Sequence, residues 1–158
     1  MKQLFISLLI IFASASATAQ TPGDLFAQYK GKKNAEYVHM GRVLFKLLRP
    51  LVNHNADDPT ARTVMRSIRS MRALNLEDCS QKVKEQFLES AKRLSTKGYE
   101  QIVSSNVDGE RTLVLVKLKK NAIRELLVLN ADDEDCQLVQ LKGKMKQVDL
   151  DDIIKNVK

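Results

Sequence analysis

The chain has 158 residues, with 26 Lys and Arg against 19 Asp and Glu, a formal charge of +7, no tryptophan and two cysteines. Two cysteines exclude a dense disulfide framework and a four-cysteine zinc site. With six glycines and no glycine-rich phosphate loop, nothing in the composition advertises a nucleotide site.

Met1-Lys2-Gln3 is a short basic region, Leu4 to Phe12 is apolar, and Ala17-Thr18-Ala19 supplies small residues in an A-x-A arrangement. This three-part order is that of a secretory signal peptide cut after Ala19. The apolar run falls far short of the ~20 residues a membrane-spanning helix needs. The expectation is therefore a signal peptide over 1–19 and a single α+β domain over 20–158. No transmembrane helix is expected after cleavage, and the protein should be periplasmic or secreted, possible contact with the outer membrane being peripheral. Export argues against a nucleic-acid partner.

Asp24 to Tyr29 reads as a short helix and Ala35 to His39 as a brief extended segment. From Met40, apolar residues recur at helical spacing through Val43, Leu44, Leu47, Leu48 and Leu51, predicting a helix over about 40–49 that Pro50 kinks or ends. Asp58-Pro59 is a helix start, with proline at the first helical position, for a second helix over about 59–69. A strand over about 71–77 follows, with Leu74 and Leu76 alternating against Ala73 and Asn75; continuation of the helix to Leu74 is the rival reading. Ser80 caps a third helix over about 80–95, whose apolar stripe is Val83, Phe87, Ala91 and Leu94. Gly98 is placed to stop it.

Residues 99–142 read as a four-stranded antiparallel meander. Asp108-Gly109 is a hairpin signal, because a type I′ turn needs positive φ at both central residues. Lys120-Asn121-Ala122 and the run Asp132-Asp133-Glu134-Asp135 make the other two turns. Leu113, Leu115, Leu127 and Leu129 oppose Val114, Val116, Leu126 and Val128 across the pleat, so the middle strands are apolar on both faces and both need covering. The third helix is the natural cover for one face; the basic helices or a second subunit would cover the other. Leu150, Ile153, Ile154 and Val157 predict a last amphipathic helix over about 149–157.

The direction of successive strands places Cys79 and Cys136 at the same end of the sheet, with Glu77, Asp78 and the acidic run. A Cys79–Cys136 disulfide is allowed if the Cα atoms come within about 7 Å; two separate buried thiols are the other reading. The acidic run lacks the alternating spacing and central glycine of a calcium loop and reads as a solvated hairpin tip.

Neither histidine belongs to a catalytic or metal motif: His39 lies in a half-apolar segment and His54 in a polar connector. No zinc-protease, nucleophile-elbow or phosphate-loop pattern occurs. Cys79 follows two acids, which disfavour an activated thiolate. The reading is therefore not an enzyme, with no cofactor and no metal. Between Lys30 and Arg72 lie ten Lys and Arg against three acids. Within that stretch Arg42, Lys46, Arg49, Arg62, Arg66, Arg69 and Arg72 form a candidate face for anionic lipid or polysaccharide, or simply a solvated basic face.

Five segments resemble one known family. They are Glu36-Tyr37-Val38-His39-Met40-Gly41, Met71-Arg72-Ala73-Leu74, Gly98-Tyr99-Glu100, Ile123-Arg124-Glu125-Leu126 and Leu138-Val139-Gln140-Leu141-Lys142-Gly143-Lys144. Together they are similar to the domain of unknown function 4252 family, exported bacterial proteins found mainly in the Bacteroidetes. The resemblance implies a small α+β envelope domain, often encoded near extracytoplasmic sigma-factor systems and so in an envelope-stress setting. It brings no activity, cofactor or catalytic residue. The functional expectation is a non-enzymatic module that binds an envelope protein or itself, with anionic lipid or polysaccharide binding as the alternative.

Overall fold

A computed structural model of the chain describes residues 19–44, 46, 47 and 65–146. Six strands form one antiparallel sheet: β1 (Glu36–Met40), β2 (Ile68–Asn75), β3 (Glu100–Val107), β4 (Glu110–Lys119), β5 (Ala122–Ala131) and β6 (Cys136–Met145). Their lateral order is β1-β2-β6-β5-β4-β3. Two fully described helices, α1 (Pro22–Tyr29) and α2 (Gln81–Lys92), pack with the sheet in an α+β architecture.

The meander exists for the local reasons its sequence suggests. Asp108 and Gly109 have φ of 49° and 89°, and Lys120 and Asn121 have 52° and 55°, so both tight hairpins turn through two left-handed residues. That geometry matches the right-handed twist of the flanking strands. The return of the chain through α2 leaves β2 and β3 pointing the same way without being neighbours. β2 instead pairs antiparallel with β6, placing Arg72 opposite Gln140 and Leu74 opposite Leu138.

One face of the sheet is closed by both helices. Phe87 and Ala91 of α2, with Leu94 beyond it, and Leu25, Phe26 and Tyr29 of α1 bury against Leu74, Leu113, Leu115, Leu127, Leu129 and Leu138. The Tyr29 hydroxyl meets Ser90 Oγ at 2.8 Å, and the Tyr29 ring stands edge-on to Phe87 at 5.1 Å. α1 is fixed by a capping box: Thr21 Oγ1 accepts from the Asp24 N–H and the Asp24 carboxylate accepts from the Thr21 N–H. A second core lies on the opposite face, where Val114, Val116, Ile123, Leu126 and Met145 gather with Ile68, and Met40 and Met65 pack against them.

Several expectations need correction. Besides the meander and one earlier strand, the sheet contains a sixth strand, β1, which pairs with β2 from Glu36 opposite Asn75 to Met40 opposite Met71. The earlier strand spans Ile68–Asn75, not 71–77. The helix read over 59–69 therefore ends sooner. Residues 65–67 are helical, but Ile68 and Arg69 are strand, because Ile68 buries in the second core and pairs with Gly143. Residues 59–64 lie outside the described residues.

The helix read over 40–49 starts late, since Met40 closes β1; residues 42–44, 46 and 47 are helical, and 45, 48 and 49 are outside the described residues. Beyond Met40, the described members of its apolar stripe face outward, with Val43, Leu44 and Leu47 exposed by 75%, 45% and 68%. The third predicted helix covers Gln81–Lys92, narrower than 80–95, and the Ser80 side chain makes no capping hydrogen bond. The signal-peptide segment through residue 18, the 53–58 connector with His54, and the 149–157 helix all lie outside the described residues.

The β2–β6 pairing is tightest at Gly143. A Cβ there would stand 2.1 Å from the Ser67 carbonyl oxygen and 3.0 Å from the Ile68 Cα, beside the register shift between Ile68 and Ser70. Gly143→Ala is accordingly expected to destabilise the fold by about 1–3 kcal/mol, the cost of overpacking. A urea unfolding midpoint equal to that of the parent chain would contradict this approach of β6 to the start of β2.

Candidate functional site

The helices do not cover the whole of their face. Beyond the start of α1 and the end of α2, a hollow of about 330 Å³ opens over the sheet. Its floor is Arg72, Lys117, Glu125, Gln140 and Lys142, and its walls include Thr21, Ser95, Lys97 and Tyr99. The walls are tied together by the backbone. The Gln20 N–H donates to the Arg93 carbonyl (3.0 Å) and the Ser95 N–H to the Gln20 carbonyl (2.8 Å), locking the entry to α1 beside the exit from α2.

The floor follows from strand register. Gln140 of β6 lies opposite Arg72 of β2, and Glu125 of β5 lies opposite Lys142 on one side and Lys117 on the other. These polar residues interrupt strands that are otherwise apolar on this face. Glu125 and Gln140 are buried, at 8% and 3% exposure, and so need partners. They find them in one chain of hydrogen bonds. Glu125 Oε1 accepts from the Tyr99 hydroxyl and from Gln140 Nε2. Gln140 Oε1 accepts from Arg72 Nη2 and from Arg72 Nε, the latter at 2.8 Å. Glu125 Oε2 faces Lys142 Nζ at 4.0 Å.

Two of the cations are held by aromatic rings. Arg72 lies over Phe26 at 4.5 Å, and Lys117 Nζ lies over Tyr99 at 4.4 Å. Ring faces attract a cation without neutralising it. Four cations, Arg72, Lys97, Lys117 and Lys142, thus share the hollow with a single carboxylate, Glu125. Burial, and then the hydrogen bond to Glu125 and its negative charge, push the Tyr99 hydroxyl well above the usual phenol range, so Tyr99 remains a hydrogen-bond donor.

The far end of the sheet has the opposite sign. Asp108, Glu110 and Asp132 to Asp135 line a second hollow of about 240 Å³ at the β3–β4 and β5–β6 turns. Asp132 Oδ1 is engaged in the turn, accepting from the backbone N–H groups of Glu134 (2.7 Å) and Asp135. Among the described residues no cluster of His, Cys, Asp and Glu could hold a metal ion. Cys79 and Cys136 come to this end, as the strand directions require; both are buried free thiols. The Cys79 Sγ–H donates to the Lys33 carbonyl at 3.3 Å and that of Cys136 to the Asp132 carbonyl at 3.4 Å.

Of the five described residues of the candidate basic face, the structure brings only Arg72 into the hollow. Arg42, Lys46, Arg66 and Arg69 are exposed on the surface, and Arg49 and Arg62 lie outside the described residues. His39 is exposed on β1. Lys97, Lys117, Glu125, Gln140 and Lys142 were not singled out as site residues by sequence reading. The available signal was a charged or amide residue set within apolar strands, as in Leu115-Val116-Lys117-Leu118 and Arg124-Glu125-Leu126-Leu127.

The arrangement defines a class: an α+β domain whose antiparallel sheet carries helices on one face and, where they stop, a cationic hollow. The chain belongs to the family described as domain of unknown function DUF4252, whose model matches residues 29–153. No curated protein and no solved structure matches the chain. No helix among the described residues is long and apolar enough to cross a membrane.

Two outcomes test this geometry. Tyr99→Phe removes a donor from the buried carboxylate and is expected to cost about 1–3 kcal/mol in a denaturant titration; an unchanged midpoint would place the hydroxyl in water instead. Burial raises the Cys136 thiol to about 11 from 9.0. The folded state therefore holds this proton harder than the unfolded chain, so its contribution to stability is full below pH 9 and is lost as the pH rises towards 11. At pH 8 without reductant, iodoacetamide should leave Cys136 unlabelled in the native protein and label both cysteines in guanidinium. No label in either state would mean a disulfide.

Proposed function

We propose that this protein is an exported, non-enzymatic binding module whose working surface is the cationic hollow at the open end of the helix-covered face. The observation that carries the reading is the charge imbalance there, four cations around one carboxylate that is already hydrogen-bonded. A concave, partly desolvated surface of one sign concentrates ligands of the other. Its volume is within the range of small-ligand sites.

Support for binding without turnover comes from the state of the polar groups. Glu125 Oε1 accepts two hydrogen bonds and Oε2 faces Lys142, so its carboxylate is built into the floor rather than presented as a general base. Tyr99 holds its proton too firmly to act as an acid near neutrality. The N-terminal pattern of Met1 to Ala19 supports export, and an envelope setting is the expectation that accompanies the family resemblance.

A second reading, contact with another protein or with a second copy, has its own observation: Val43, Leu44 and Leu47 expose apolar side chains along one short helical stretch. Native mass spectrometry of the protein recovered from its own envelope fraction tests both. The account expects a chain beginning at Gln20, a monomer mass, and a small anionic adduct lost in the Lys97→Gln/Lys117→Gln double variant. A chain retaining Met1 would contradict export. An adduct of equal occupancy in the variant would contradict the hollow, and a stable dimer that Leu47→Asp dissociates would favour the second reading.

A further inference from the structure

We infer that the hollow is a receptor for a phosphate group, carried as a monoester. This rests on the proposed binding role of the hollow and names the chemistry of its ligand. The first ground is charge. Against the formal charges of Arg72, Lys97, Lys117 and Lys142, Glu125 offsets one, leaving a surplus of three. A monocarboxylate brings one negative charge, whereas a phosphomonoester brings about −1.5 to −2 at neutral pH; a dicarboxylate matches that charge but not the fork geometry of the second ground. The dianion is the better complement to a surplus of this size.

The second ground is the presentation of Arg72. A guanidinium has five N–H bonds. Nε and Nη2 each direct one at Gln140 Oε1, and the Phe26 ring at 4.5 Å supports one face of the plane. The remaining N–H bonds meet no protein acceptor among the described residues. Arg72 pairs with no carboxylate there, and neither does Lys117, which lies over the Tyr99 ring. A planar fork anchored along one edge and one face, with its other N–H bonds free, is preorganised for phosphate oxygens.

The third ground is the rim. Ser95 Oγ accepts from the Lys97 N–H at 3.4 Å, which leaves the Ser95 O–H able to donate. Donors therefore dominate the open side, while the acceptors of Glu125 and Gln140 are turned into the floor. A ligand rich in acceptor oxygens and poor in donors fits that polarity. A hollow of about 330 Å³, open to solvent, holds a phosphate with a small substituent, and the substituent could be a soluble metabolite or the backbone of a lipid headgroup.

The test is calorimetric titration of the folded protein with inorganic phosphate and with succinate at low ionic strength, together with sedimentation on vesicles containing phosphatidic acid or phosphatidylglycerol. The expected result is phosphate binding at least about tenfold tighter than succinate, strengthening from pH 5.5 to 7.5 as the ligand loses its second proton. Lys117→Gln and Lys97→Gln should each weaken phosphate binding by about tenfold, while Arg66→Gln/Arg69→Gln should not change it. Arg72→Gln should lose binding as well, but it also disturbs the Gln140 floor, so the lysine variants are the decisive ones.

Phosphate binding with no preference for phosphatidic acid vesicles identifies a soluble monoester, and preferential sedimentation on phosphatidic acid identifies a lipid headgroup. Succinate binding as tightly as phosphate would overturn the phosphate assignment and leave the binding module standing. Absence of binding by either anion would overturn both.

Discussion

The pairing of β2 with β6 is the constraint on which the rest of the structure depends. It brings residues about 70 positions apart into one ladder, with Arg72 opposite Gln140 and Leu74 opposite Leu138. The apolar pair completes the core beneath the helices, and the polar pair makes the edge of the hollow. Side chains alternate between faces, so a slip of one residue would move Arg72 to the opposite face and leave Gln140 buried without its donor. Gly143 shows how closely the two strands approach, since only a missing Cβ accommodates the Ser67 carbonyl. The same register therefore serves packing, hydrogen bonding and the site.

The two ends of the sheet are electrically different, and the chain path explains why. Turns β3–β4 and β5–β6 leave one end and carry Asp108, Glu110 and Asp132 to Asp135. The β4–β5 turn leaves the other and carries Lys119 and Lys120, while Lys117 and Lys142 sit just inside it. The formal charges of the chain from Ala73 onward sum to zero, so the acidic and basic groups are segregated by the meander and not by composition. Among the described residues, the cationic groups Lys117, Lys119, Lys120 and Lys142 therefore gather at the end opposite the acidic turns.

Much of the scaffold was legible in the sequence. The meander, the positive-φ turn at Asp108-Gly109 and the turn after Lys119 were readable because alternating apolar strands and turn residues are local signals; the positive φ of Lys120 and Asn121 was not. β1 was read only as an extended segment: it is a five-residue edge strand with Val38 and His39 exposed, so it lacks a clean apolar alternation. The helix-to-strand change before β2 was misplaced by about three residues, because Met65 and Ile68 satisfy both a helical stripe and the second core. Arg72 was read in the strand but grouped with Arg62, Arg66 and Arg69 as one basic face; in β2 it turns under Phe26 instead. Glu125, Lys117 and Gln140 were invisible as a group, since their proximity is a product of register between strands whose lateral order no local pattern specifies.

The claim that this register builds the anion site can be read directly from the arginine Nε–H groups in a nitrogen-15 NMR spectrum. The account predicts an Arg72 Nε–H resonance protected from solvent exchange by Gln140, absent or displaced in Gln140→Leu. It also predicts that inorganic phosphate moves this resonance while those of Arg66 and Arg69 stay in place. An Arg72 resonance that exchanges as fast as theirs, and that neither the substitution nor phosphate alters, would contradict the account.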